Sequence, residues 1–165
     1  MNTIELDELI DEKLPSLTHC VCASDELSSL PHLREFFVIC NTSPKSQMEG
    51  HWVCCIRKAP CNIFFDSYGE SPSSYKYGDF FLQFLDHKFI FNPIRLQSYS
   101  SIVCGQFCLF VITHLHQGYS LGKILTTFFK PYHYRYNDSV VRTFYNCEYT
   151  RKRNCQKACS FDKCF

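Results

Sequence analysis

Apolar residues recur along the chain with two different periods, and the switches between them mark its elements. Ile4, Leu6, Leu9, Ile10 and Leu14 lie at helical spacing behind Thr3, a capping candidate, and ahead of Pro15, which predicts a short amphipathic helix. The run LREFFVICN (33–41) is aromatic and β-branched and ends in the turn formers NTSPKS, so it reads as a buried strand and a loop reaching Gly50. HWVCCIR (51–57) and NIFFDSY (62–68) read as two further strands, and the short KAPC link makes them an antiparallel hairpin. In a hairpin the start of one strand lies beside the end of the other, so His51 and Asp66 become neighbours across fifteen positions.

GESPSSYKYG reads as a loop, DFFLQFLDHKF as a short helix with Phe80, Phe81, Phe84 and Leu85 on one face, and IFNPIRLQSY as an extended segment interrupted by Pro93. Val103, Phe107, Phe110, Val111, His114 and Leu115 then follow the period of a buried helix that stops at Gly118 and carries Cys104 in its first turn. SLGKILTTFFK and NDSVVRTFYNCEY complete the pattern as two more helices, the second opened by Asn137, Asp138 and Ser139 as capping candidates. Runs of strands followed by runs of helices give an α+β fold.

Composition adds a size limit and a compartment. With 165 residues, 45% of them hydrophobic, the chain supplies one well-packed core, and we expect a single domain over residues 1–165 with a basic, cysteine-rich tail from 146. The acidic N-terminus lacks the basic and apolar regions of a secretory signal, and no apolar run approaches the ~18 residues of a membrane span, so the expectation is a soluble intracellular protein with reduced thiols. The net charge of +1 conceals a polarity: residues 1–37 carry eight acids and two bases, residues 130–165 eight bases and three acids.

Twelve cysteines and seven histidines make any single Cys/His pair uninformative, because a cysteine in an apolar helix is ordinarily core. Cys104 differs by position. A thiol in the first turn of a helix faces unpaired N–H groups and the positive end of the helix dipole, both of which stabilise a thiolate. The N–H groups of Cys104 and Gly105 can also face the oxygen of a carbonyl under attack, and Gly105 offers no side chain to obstruct a substrate backbone. Gln97, seven residues earlier, can add a side-chain N–H to that oxyanion hole. His51 is placed to take the thiol proton, Asp66 to orient His51, and Trp52 to support the site from the other face or over the imidazole edge.

The order His51, Asp66, Gln97, Cys104 resembles the adenovirus protease (adenain) family of cysteine endopeptidases, within the wider group that contains the SUMO-specific Ulp-type proteases. The resemblance is carried by NTSPKSQMEGHW, FFDSYG and QSYSSIVCGQFC, which span residues 41–108. The Gln-to-Cys interval of seven and Val103 before the cysteine are similar to adenain, whereas Ulp-type enzymes usually have six and an Asp. Adenovirus-related elements such as Polintons and adintoviruses carry proteases of this kind too. The resemblance implies a central mixed β-sheet flanked by helices, with the nucleophile at the start of a buried helix. It implies His51 as general base, Asp66 as its orienting acid, Gln97 as oxyanion donor and Cys104 as nucleophile, acting on glycine-rich sites of viral capsid and core precursors within the virion and the host nucleus.

Adenain also takes a capsid-derived peptide, joined by a disulfide to a cysteine between the acid and the Gln, and viral DNA. Between Asp66 and Gln97 this chain has no cysteine, and Cys61 is the nearest substitute. Arg151, Lys152, Arg153 and Lys157 are the candidates for non-specific DNA contact. The tail thiols Cys147, Cys155, Cys159 and Cys164 do not follow a zinc-ribbon spacing, and His114 and His116 point to different helix faces, so no metal site is assigned. Two other readings stand beside the endopeptidase: a protease that removes SUMO- or ubiquitin-like proteins, and a zinc-stabilised nucleic-acid-binding module in which Cys104 is core.

Overall fold

The computed structural model describes residues 1–149 except Met48, with side chains to Asn146. Its centre is a five-stranded mixed sheet in chain order: β1 (His19–Ala23), β2 (Phe36–Asn41), β3 (Trp52–Arg57), β4 (Asn62–Phe65) and β5 (Phe89–Phe91). The inner pairs β2·β3 and β3·β4 are antiparallel, whereas both edge pairs, β1·β2 and β4·β5, are parallel. Parallel neighbours need long connections. A 3-10 turn (Ser24–Ser29) lies within the first, and helix α2 (Gly78–Phe84) within the second.

Side chains on successive strand residues point to opposite faces, and here both faces are covered. Phe37, Ile39, Trp52, Cys54, Ile56, Ile63 and Phe65 meet α1 (Thr3–Lys13), α3 (Cys104–His116), α4 (Leu121–Phe128) and α5 (Tyr134–Tyr149). Phe36, Val38, Cys40, Val53, Cys55 and Phe64 pack against the 3-10 turn and α2 through Leu27, Phe81, Phe84 and Leu85. Coverage on both sides is why β2 and β3 appear in the sequence as continuous apolar runs without polar alternation. Arg57 closes the far end of β3 from within the core, its Nε donating to the Phe84 carbonyl at 2.7 Å.

Several boundaries differ from the sequence reading. Asn2, not Thr3, caps α1, through a reciprocal capping box with Glu5 at 2.9 and 3.0 Å. The strand expected from residue 33 begins at Phe36. The extended segment 90–99 is paired only over Phe89–Phe91, because the Asn92 side chain then bonds the Asp66 backbone and Pro93 has no N–H to continue a ladder. Helix α5 starts at Tyr134, so Asn137 is inside it and not its cap. Strand β1 was not anticipated. Among the described residues no helix is long and apolar enough to cross a membrane.

Candidate active site

The β3–β4 register pairs Cys54 with Phe65, which carries His51 and Asp66 to the same end of the hairpin, just beyond the paired residues. Two devices hold His51 there. The Thr42 backbone N–H donates to the His51 carbonyl at 2.8 Å, and the His51 N–H donates to the Thr42 hydroxyl at 3.1 Å. Asn41 turns its side chain back to accept from the Ser43 N–H at 2.9 Å, and in doing so fills the space a Cβ on residue 50 would need. Glycine before the histidine is therefore a packing requirement of Asn41.

Asp66 follows β4 at the start of the turn DSYG and is fully buried. Its carboxylate accepts four hydrogen bonds: from His51 Nε2 at 2.5 Å, the Tyr68 and Glu70 N–H groups at 2.9 Å each, and the Tyr75 hydroxyl at 2.7 Å. Burial works against the charge, yet the His51 bond and the other donors outweigh it and hold the carboxyl below its usual value. Asn92, also fully buried, clamps the Asp66 backbone by accepting from its N–H at 3.0 Å and donating to its carbonyl at 2.6 Å.

With Nε2 committed to Asp66, Nδ1 is the ring nitrogen left to His51 for the Cys104 thiol. Burial disfavours the imidazolium, but Asp66 and the thiolate favour it more strongly, and the pKa is lifted to about 9. Cys104 moves oppositely: burial opposes its thiolate, while His51 and the N–H groups of Trp52 and Gly105 draw the pKa below its usual value. The two shifts run in the directions that favour thiolate and imidazolium, the state in which sulfur is nucleophilic. Cys104 is the first residue of α3, and Val103 before it supplies no side-chain cap, so the first-turn N–H groups are free to serve the sulfur. Cys108, one turn on, is completely buried, and burial pushes its thiol up.

Gln97 is fully buried within this neighbourhood. The Ser67 hydroxyl donates to its Oε1 at 2.7 Å, and the Ser101 carbonyl, which can only accept, fixes the amide orientation from the other side. Gln97 Nε2 donates to the Ser101 carbonyl at 2.9 Å and, in a longer bond, to the Tyr68 hydroxyl at 3.4 Å, so an oxyanion would take the place of the Tyr68 contact.

Of the two places open to Trp52, the imidazole edge is taken by another residue, and Gly105 is closely packed. The imidazole is covered by Tyr68, stacked at 4.5 Å, while Trp52 faces the helical layer, its indole N–H donating to the Met1 carbonyl at 3.3 Å. Gly105 is buried, and a Cβ there would lie 3.0 Å from the Met1 sulfur and in ordinary contact with Leu6 and Trp52, so the missing side chain also gives room to Met1. Tyr68, Tyr75 and Asn92 were missed, because a tyrosine in a turn and an asparagine near a proline carry no local signal of a partner up to 26 positions away.

Cys61 lies beyond the other end of β3 from His51 and borders a cavity of about 350 Å³ with Arg57, Asn62 and Lys88. A peptide tethered there would sit away from the end that carries His51 and Asp66. Among the described residues the side chains able to share a metal ion are Asp7, Asp11 and His19, with His19 Nε2 3.3 and 3.8 Å from the two carboxylates. His114 is buried and His116 exposed, as their spacing requires. Arg151, Lys152, Arg153, Lys157 and the thiols of Cys147, Cys155, Cys159 and Cys164 lie outside the described residues and side chains. No protein-family model matches the chain and no curated protein matches it, so its chemistry is read from the geometry of His51, Asp66, Gln97 and Cys104.

Proposed function

We propose that this chain is an adenain-like cysteine endopeptidase that matures viral structural precursors, in the virion and host nucleus, at glycine-rich small-residue sites. One observation carries the reading: His51 lies between a four-fold bonded, buried Asp66 and a Cys104 at the uncapped start of a buried helix. The Cys104 thiolate adds to a peptide carbonyl carbon. The oxyanion draws hydrogen bonds from the Gln97 amide and the first-turn N–H groups of α3. His51 gives its Nδ1 proton to the departing amine as the C–N bond breaks, leaving a thioester; His51 then takes a proton from water, whose oxygen displaces the sulfur and releases the acid.

The test is trapping with a glycine-glycine peptide electrophile, followed by mass spectrometry of the modified residue. Cys104 should be labelled alone, and His51→Ala should suppress that labelling; a label spread over several thiols, or unaffected by His51→Ala, removes the mechanism. Gln97→Ala should lower turnover by roughly 10² while leaving alkylation of Cys104 by iodoacetamide nearly unchanged, as loss of an oxyanion donor does. Equal losses in both measurements would reduce Gln97 to a structural residue.

A further inference from the structure

We propose that Asn137 and Asp138, consecutive residues in the first turns of α5, are positioning residues that fix the oxyanion donor Gln97; this rests on the endopeptidase reading above. The location of a side chain is set by its Cα, and a Cα is set by the two peptide planes that meet at it. Both planes flanking Gln97 are held by α5. In the plane before it, the Leu96 carbonyl accepts from Asn137 Nδ2 at 3.1 Å, while the Gln97 N–H at the other edge donates to the Ser67 carbonyl at 3.0 Å. In the plane after it, the Ser98 N–H donates to Asp138 Oδ1 at 3.3 Å.

Asn137 is itself immobilised. It is fully buried, its second Nδ2 hydrogen goes to the Lys130 carbonyl at 3.0 Å, and its Oδ1 accepts the Lys130 N–H at 2.9 Å. Each amide hydrogen therefore has a defined partner, so the side chain has one orientation and transmits the place of α5 to residues 96–98. Asp138 is 6% exposed, and the Ser98 it holds accepts at its carbonyl from the Ser101 hydroxyl at 3.0 Å, which ties in the residue whose own carbonyl accepts from Gln97 Nε2. The far side of the donor is built from the turn that holds Asp66: Ser67 supplies both the carbonyl for the Gln97 N–H and the hydroxyl for Oε1. The oxyanion donor is thus suspended between the acid's own turn and α5, and neither Asn137 nor Asp138 touches reacting atoms.

Displacement of a catalytic group by about 1 Å can cost on the order of 10² in rate. Asn137→Ala and Asp138→Ala should each lower kcat on a glycine-glycine peptide ester by roughly 10- to 100-fold with KM changed less than about two-fold. Iodoacetamide alkylation of Cys104 should be unchanged, and amide hydrogen exchange of residues 96–101 should quicken. Asp138→Asn keeps an oxygen acceptor for the Ser98 N–H and should restore most of the kcat lost in Asp138→Ala, which separates positioning from damage to the fold. Unchanged kcat in the alanine variants, or alkylation falling in step with kcat, overturns the inference and leaves the endopeptidase reading intact. A wild-type protein that alkylates at Cys104 but turns over no glycine-glycine ester sinks that reading itself.

Discussion

His51→Ala is expected to lower peptide turnover by roughly 10⁴ or more and to move the alkylation of Cys104 to higher pH. The size follows from the two tasks the proposed mechanism gives the ring: to favour the thiolate, and to supply the proton without which the amine cannot leave. The direction in pH follows from the paired shifts. Cys104 titrates below its usual value because of His51, and His51 titrates at about 9 because of Asp66 and the thiolate. Alkylation of the wild-type protein should therefore persist near neutrality, and turnover should decline as pH rises through about 9, where the imidazolium loses the proton destined for the leaving group. In His51→Ala the alkylation midpoint should rise toward that of an ordinary thiol, measured as the rate of iodoacetamide incorporation at Cys104 between pH 5 and 10. A midpoint unmoved by the substitution would show that the helix terminus alone activates the sulfur.

Asp66→Ala carries the second largest effect, on activity and stability together. Turnover should fall by on the order of 10⁴, because His51 loses the acceptor that fixes its tautomer and stabilises its charge. Stability should fall by about 3–5 kcal/mol, since the Tyr75 hydroxyl and two backbone N–H groups lose a buried acceptor along with the ion pair. The pH dependence of that stability has a definite sign. The Asp66 carboxyl is depressed in the folded chain, so its contribution is present above 3.8 and lost as pH falls through the lower folded value. The imidazole of His51 is raised, so its contribution is complete below 6.5 and lost as pH rises through about 9. The pair therefore stabilises most between about 4 and 6.5. Chemical denaturation of wild type and Asp66→Ala across pH 3–10 should show the difference shrinking at both ends; a flat difference would assign the loss to packing.

The parts of the site that were legible in the sequence are those that depend on local geometry. A four-residue link between two apolar runs forces a hairpin, which brings His51 to Asp66, and apolar spacing from Val103 forces a helix whose first turn contains Cys104. What could not be read is where long-range polar side chains find partners. Asn137 shows the reason: asparagine at the head of an apolar periodic run signals a cap, since its amide suits exposed backbone groups. It does bond backbone, but that of Leu96 and Lys130, which only the packed fold brings near. Gly105 shows the same limit in steric form, because its neighbours Met1 and Trp52 are distant in sequence. Strand β1 escaped because HCVCA is short and finds its β-partner in parallel register, with no turn to announce it.

The contact between Asn41 and Gly50 makes the stretch from Asn41 to Trp52 a single mechanical part. Asn41 pairs across the sheet with Trp52, Thr42 grips His51, and the Asn41 amide occupies the volume that any side chain on residue 50 would claim. The two positions therefore form one lock: a methyl group added at 50 must expel the Asn41 side chain, which takes its acceptor from the Ser43 N–H beside the residue that grips His51. Enlarging residue 50 without shrinking residue 41 would disarm the base from the rear, leaving His51, Asp66, Gln97 and Cys104 all chemically intact.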